Sequence, residues 1–399
     1  MRRLNSALVL RAIRDGGSMS RSEISRLTGL SKPTVHEVVE SLLRTGYVRE
    51  SSAGERGGRP GPRARLLTFR ADLGYVLGID IGANKLLALV ADLGGTIVAS
   101  ERRRTSGGLS SEALLDEVCA TARAALSAAK VERTSLKAVG VGTPGVVDPV
   151  SGEVTLAPQL AGWEGLQLGK KLERSFPCPV LVDNEVHLAL LAERWRGAVQ
   201  GIDEVFYVQL GVGIGGGILV GGDLYRGSAG AAAEIGYLPV SDDRHEPSGA
   251  GPGPFELAAG GTAFARLGQA SAAGPGGKLL RELAGGDPAS VDAEIVFAAA
   301  RQGDKAALTI VDELTKRLAR GIASVVVVLN PATVVIGGGL SRAGAVLMGP
   351  LERRVSELVP WSPLLVLSAL GDEAVALGAV RLGIQSVEER LFSFDEVAV

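Results

Sequence analysis

The sequence predicts an α/β protein of two unlike parts: a winged helix-turn-helix over residues 1–70 and a larger, internally duplicated α/β body over residues 71–399. Three observations predict it. The charge is split, residues 1–70 carrying 14 Lys and Arg against 6 Asp and Glu while the remainder carries 28 against 38. Apolar periodicity is helical as far as Gly46 and strand-like from Tyr75 onward. Glycine-rich turns follow apolar strands at separate places in the body. A basic module on an acidic body is the footprint expected when one part meets a polyanion and the other does not.

Taken in order, Leu4, Leu8 and Ile13 give a first helix that Gly16 and Gly17 stop. Ser20 with Glu23 is a capping box for a second helix, whose buried face is Ile24 and Leu27; Thr28, Gly29 and Leu30 make a tight turn. Ser31 caps the third helix and Pro33 occupies its first turn, where the missing N–H costs nothing. Val35, Val38, Val39 and Leu42 form its core stripe, and Gly46 ends it. Segments 47–50 and 65–69 read as short strands flanking a wing, Gly54 to Arg63, too rich in Gly and Arg to be core. On duplex DNA the first turn of the third helix enters the major groove, which places Lys32, Thr34 and His36 at base edges and Ser31 at a phosphate. Arg59 and Arg63 suit the minor groove or its phosphates.

The body opens on a buried strand, Tyr75 to Asp80, that turns through Ile81, Gly82, Ala83 and Asn84 into a hairpin over Leu86–Ala91 and Thr96–Ala99. The pattern recurs about 125 residues later, with the strand Val205–Leu210, a turn over Gly211–Gly217 and a return over Ile218–Val220. A third glycine turn, Gly337 to Gly339, follows the strand Thr333–Ile336. The repeat predicts two lobes, approximately 71–195 and 196–399, with ligands in the cleft between them. Without a Cβ in the way, backbone N–H groups at Gly82, Gly211, Gly213, Gly215 and Gly338 can approach phosphates, with Asp80 and Asn84 beside the first loop.

These residues resemble the repressor, ORF and kinase (ROK) family of the actin-like ATPase superfamily, whose body is a ribonuclease H-like sugar-kinase fold. The likeness runs through Gly58-Arg59-Pro60-Gly61, Leu77–Gly82, Gly140–Asp148, Ala157–Trp163, Val182–Glu185, Gly211–Gly217, Gly230–Gly236, Gly253–Glu256 and Ile336–Ser341. The winged helix resembles the repressor branch, such as xylose and N-acetylglucosamine repressors. The resemblance implies a sugar held by Asn184, Glu185, Glu234, Tyr237 and Glu256, with Gln159 where relatives often have Asn. It also implies that His187, where an Asn is frequent, packs on its helix.

Departures from the family count against phosphoryl transfer. Kinase members follow the sugar-contacting Asn with an Asp that acts as base; here Glu185 stands there, and its extra methylene displaces the carboxylate by about 1 Å, enough to cost about 10²-fold in rate. Val212 replaces a phosphate-loop Thr, and Asn84 replaces a Thr or Ser. Glu185 is thus expected to be a vestigial base: no cofactor is required, and ATP with Mg²⁺ can be held without turnover. An active ATP-dependent sugar kinase carrying a DNA-binding domain is the alternative. The family's structural zinc is expected to be lost, because Tyr237 follows Glu234-Ile235-Gly236 where a His is usual and residues 241–255 hold no cysteine.

Composition narrows the setting. Hydrophobic residues at 46% and charged residues at 22% suit a globular chain, no apolar run spans a bilayer, and the N-terminus enters a charged helical pattern directly. Cys119 and Cys178 alone build neither a disulfide framework nor a thiolate cluster. The expected protein is a cytoplasmic, sugar-responsive transcription regulator, a repressor in the first instance. Its expected partners are a palindromic DNA operator and a sugar effector, bound as a homodimer or homotetramer with no membrane involved.

Overall fold

The computed structural model describes residues 2–52, 65–82, 84–105, 108–157, 160, 162–240 and 251–392. The N-terminal unit comprises α1 (Arg2–Gly16), β1 (Met19–Ser20), α2 (Arg21–Thr28), α3 (Lys32–Arg44), β2 (Val48–Ser52) and β3 (Arg65–Phe69), its antiparallel strands lying in the order β1-β3-β2. The capping box forms, with Ser20 N donating to Glu23 Oε2 at 2.8 Å and Glu23 N to Ser20 Oγ at 3.3 Å. Ser31 accepts from Thr34 N, and Val35, Val38, Val39 and Leu42 join Val9, Leu10, Ile13, Ile24, Val48 and Leu67 in one core.

Two expectations for this unit are corrected. Leu4, Leu8 and Leu27 are exposed. The inward stripe of α1 runs through Val9, Leu10 and Ile13 because the helix packs against α3 on one side and against the body on another, whereas the short α2 reaches the core through Ile24 alone. Arg59 and Arg63 of the wing lie outside the described residues.

In the body, β4 (Tyr75–Ile81), β5 (Lys85–Asp92) and β6 (Ile97–Arg104) form an antiparallel meander, followed by α4 (Ser111–Ala129), β7 (Leu136–Thr143), β8 (Val146–Val147), β9 (Val154–Leu156), α5 (Leu168–Glu173), β10 (Val180–Asn184) and α6 (Glu185–Arg196). The first sheet has the order β10-β7-β4-β5-β6, β7 being parallel to both β4 and β10. The second half repeats this plan with the meander β11 (Val205–Leu210), β12 (Ile214–Val220) and β13 (Asp223–Leu224). Then come α7 (Pro254–Ala259), α8 (Gly261–Ala273), α9 (Lys278–Leu283), α10 (Ala293–Arg301), α11 (Lys305–Leu329), β14 (Thr333–Gly337), α12 (Ala345–Leu358), β15 (Leu364–Leu367) and α13 (Ala374–Phe392). Its sheet, β13-β12-β11-β14-β15, again has one meander strand continued by two parallel strands. The two halves share one topology.

The second glycine turn is shorter than expected. Gly215, Gly216 and Gly217 belong to β12, paired with Gln209, Val208 and Tyr207. The reason is packing: a Cβ on Gly216 would stand 2.6 Å from the Ala233 carbonyl, and one on Gly215 would stand 2.8 Å from Val186 of α6. Gly215 is therefore a strand residue.

The last helix ties the two halves together. α13 crosses back to lie on β4 and β7 and along α6, covering a sheet face that would otherwise be bare. The approach is close enough that a Cβ on Gly378 would meet the Leu188 carbonyl at 1.8 Å. α13 also receives the N-terminal unit: Arg14 of α1 pairs with Glu388, which Arg381 contacts at 3.2 Å. Among the described residues no helix is long and apolar enough to cross a membrane.

Candidate functional site

The junction of β10 and α6 is where the sequence concentrates polar groups in a buried setting. Asn184 is the N-cap of α6, its Oδ1 accepting from Val186 N (2.6 Å) and His187 N (3.3 Å) while Nδ2 donates to the Gly145 carbonyl at 2.8 Å. Glu185 follows as the first helical residue. Burial and the charges of Asp80 and Glu234 push its carboxyl up to about 7, against the pull of Lys85 and a hydrogen bond with Gln209. Asp80, 1% exposed at the end of β4, is raised by burial; Lys85 Nζ lies 2.9 Å from its Oδ2, and apart from this ion pair neither oxygen finds a hydrogen-bond partner.

The second half supplies two more carboxylates. Glu234 stands at the start of a 3₁₀ turn, directly after Ala233, whose φ of 63° is unusual for a residue with a side chain. Burial and Glu256 raise it, while the His187 charge lowers it. Glu256, in the first turn of α7, rests against Gly213 and is raised by burial, partly offset by a hydrogen bond from Ile214 N–H. Asp80, Glu185, Glu234 and Glu256 thus form a chain of mutually repelling carboxyls, each held above the ordinary carboxylate range. Tyr237, exposed, donates to the Gly251 carbonyl at 3.0 Å.

Beneath this row lies a network the sequence did not single out. Asp183 is buried, accepts from Asn184 N at 2.8 Å, receives Arg226 Nε (3.0 Å) and Nη2 (2.6 Å) on Oδ2, and faces His187 Nδ1 at 2.9 Å on Oδ1. Burial works against its charge, but His187 and Arg226 outweigh it and hold the carboxyl below the usual range. Trp163, fully buried, donates from Nε1 to Thr143 Oγ1 at 2.8 Å and fixes the segment opposite Asn184. The family resemblance marked His187 only as a residue packing on its helix, and nothing local pointed to Arg226.

The glycine turns divide between two places. Gly82, whose N–H donates to the Lys85 carbonyl, and the exposed Asn84 lie at the tip of the β4–β5 hairpin beside Asp80. Gly211, Val212 and Gly213 form the β11–β12 turn, and Gly338 (φ 80°) packs on the Leu210 carbonyl. Gly211, Val212, Gly261, Thr262, Gly339 and Arg342 line one cleft of about 400 Å³. Among the described residues no group of three or more His, Cys, Asp or Glu is placed to hold a metal ion. Residues 241–250, with His245, and Gln159 lie outside the described residues.

On the N-terminal unit, Lys32 and His36 are exposed one turn apart on α3, Ser31 is exposed at its cap, and Thr34 is half-buried with Oγ1 2.8 Å from Ser31 Oγ. Cation and imidazole share the first turns of the helix with a hydroxyl pair at its end. That face presents donors and a positive charge to whatever lies against it.

Comparison with known proteins bears on both parts. Residues 76–386 match the model of the ROK family, and residues 5–52 match that of the IclR helix-turn-helix domain. A putative xylose repressor from Caldicellulosiruptor sp. (strain Rt8B.4) is 30% identical, covering 97% of each chain. The glucokinase of Thermotoga maritima is 35% identical over 63% of this chain and 80% of its own length. Among solved structures, a ROK family glucokinase from Streptomyces griseus in complex with glucose and AMPPNP superposes with a TM-score of 0.70 at 31% identity, over 78% of this chain and all of the other. A ROK family transcriptional regulator, a homologue of the E. coli MLC protein, superposes with a TM-score of 0.79 at 22% identity over 98% of each chain, a likeness of fold.

Proposed function

The chain belongs to the ROK family and joins to it an IclR-type helix-turn-helix, and from that premise we propose that it is a sequence-specific DNA-binding repressor controlled by a sugar bound in its kinase-like body. The observation that carries the reading is the joint: the helix that opens on Glu185 packs along α13, and α13 receives α1 of the DNA-reading unit. On this reading Ser31, Lys32, Thr34 and His36 contact the operator, and Glu185, Glu234 and Glu256 hold the sugar. A carboxyl pushed up to about 7, as that of Glu185 is, can donate as well as accept, which suits paired hydroxyls. Asn184, already committed to the cap and to Gly145, positions Glu185 more than it offers free atoms, and Tyr237 stands at the rim.

Sugar seated between the halves must prefer one degree of closure, and only that difference in affinity reaches the DNA. Each DNA-reading unit spans few base pairs, so a homodimer or homotetramer on a palindromic operator, acting in the cytoplasm, completes the proposal. No cofactor is required; the cleft bounded by Gly211 and Gly339 can hold a nucleotide with Mg²⁺, and Val212 offers it no hydroxyl. The names of relatives make xylose the first sugar to try. The test is protection of the protein's own upstream DNA, with competitor DNA and a sugar panel: a palindromic footprint whose affinity changes with one sugar supports the proposal, and the absence of a specific site overturns it.

One observation favours a second reading, an active sugar kinase. A carboxyl pushed up to about 7 is matched to accepting a sugar proton at neutral pH. Turnover of ATP with hexoses or xylose that vanishes in Glu185→Gln would establish it.

A further inference from the structure

Where the DNA-reading unit meets the body, α1, α6 and α13 enclose a cleft of about 600 Å³. Its wall carries Arg11, Arg14, Arg194, Arg196 and Arg381, with Asp15 and Asp223 as the acids. Arg11, Arg14 and Arg381 share the single carboxylate of Glu388, and Arg14 also reaches Asp15 at 2.8 Å. Arg194 is held by Asp203 at 2.7 Å, and its buried Nε has no hydrogen-bond partner. Arg196 makes no ion pair among the described residues and lies 3.8 Å over the Trp195 ring, with Asp92 the acid whose charge reaches it. Burial and the charges of Arg14 and Arg11 push Arg381 down to about 10, with Asp15 opposing. Five guanidiniums thus converge on a cleft whose own lining holds two carboxylates, so its wall is net positive.

We propose that this junctional cleft is a second ligand site, separate from the carboxylate row around Glu185, and that it takes the phosphoryl group of a small phosphorylated metabolite. Guanidinium forks match phosphate oxygens in pairs, and the volume lies within the range of small-molecule sites. Two of the arginines belong to α1 and three to the body, so the bound phosphoryl group fixes the DNA-reading unit in one placement against α6 and α13.

The test uses the full chain without DNA or sugar, titrated with inorganic phosphate at constant ionic strength and followed by calorimetry and thermal melting. Saturable binding is expected, with a rise in melting temperature that NaCl at the same ionic strength does not give. The double variant Arg11→Gln/Arg196→Gln alters exposed side chains, keeps the melting temperature of the unliganded protein, and should bind phosphate at least about tenfold more weakly. Should the double variant fold poorly, Arg11→Gln alone carries the same comparison. Binding that is absent, that is unchanged in the variants, or that is displaced by short duplex DNA overturns the proposal, the last outcome making the cleft a contact for the nucleic-acid backbone.

Discussion

Glu185 sits between opposing forces. The first turn of α6 favours a negative charge, while burial, Asp80 and Glu234 disfavour it, and the balance leaves the carboxyl at about 7 against an ordinary 4.5. Across that interval the folded protein holds a proton that the unfolded chain has released. The contribution of this group is therefore complete below about 4.5 and is lost as the pH rises through about 7. Glu185→Gln, which cannot ionise, should be more stable than the parent at pH 8 by about 2 kcal/mol, after allowance for the partial opening of the side chain to the cleft, with the difference gone by pH 4. Chemical denaturation at the two pH values checks this. Asp183 behaves in the opposite sense, since its depressed value makes its contribution present above the ordinary range and lost as acid protonates it. Asp183→Ala strands Arg226 beside a buried imidazole and should cost about 3–5 kcal/mol, read by denaturant midpoint. Glu185 and Asn184 were singled out through their likeness to a family motif that is contiguous in sequence. Arg226 was not, because it reaches Asp183 across 43 residues of sequence and through a fold that no spacing rule encodes.

Among the elements, α3 was read correctly from its sequence because everything that defines it is local: the Ser31 cap, Pro33 in the first turn, and an apolar stripe that meets one neighbouring core. α1 was misjudged because its buried face depends on two packing partners, one of them α13 from the far end of the chain. The glycine run after Gly213 was misjudged for the converse reason, since glycines that look like a turn prove to be the only residues thin enough to let β12 pass beneath α6 and the Ala233 backbone. Lys32→Ala/His36→Ala should weaken binding to the operator by about tenfold or more while leaving the melting temperature unchanged, because neither side chain is buried; fluorescence anisotropy at fixed salt separates the two effects. Gly378→Val should lower stability by about 3 kcal/mol or more, or prevent folding, because its side chain would collide with the Leu188 carbonyl where α13 crosses α6; circular dichroism melting reads the outcome.

At the scale of the whole molecule, the repeated order of the two sheets was visible as recurring strand and glycine turns, while the return of α13 to the first sheet was not, since an apolar helix does not declare which sheet it will cover. On the proposed function, that helix is the mechanical route from the sugar site to the DNA, and Glu388, paired with Arg14 and Arg381, is where it enters the DNA-reading unit. Glu388→Gln should leave the isolated affinity for DNA within about threefold of the parent, yet diminish the change in that affinity caused by sugar, because the amide keeps the shape of the carboxylate and gives up the charge that gathers Arg14 and Arg381. The same helix also imposes an order on biogenesis. As the chain leaves the ribosome the DNA-reading unit emerges with its own core complete, whereas β4 and β7 wait for nearly the whole of the remaining translation before α13 arrives to shield them. During that interval a nascent chain can already carry a folded DNA reader with no body to govern it, and the apolar face of the first sheet is open to chaperones.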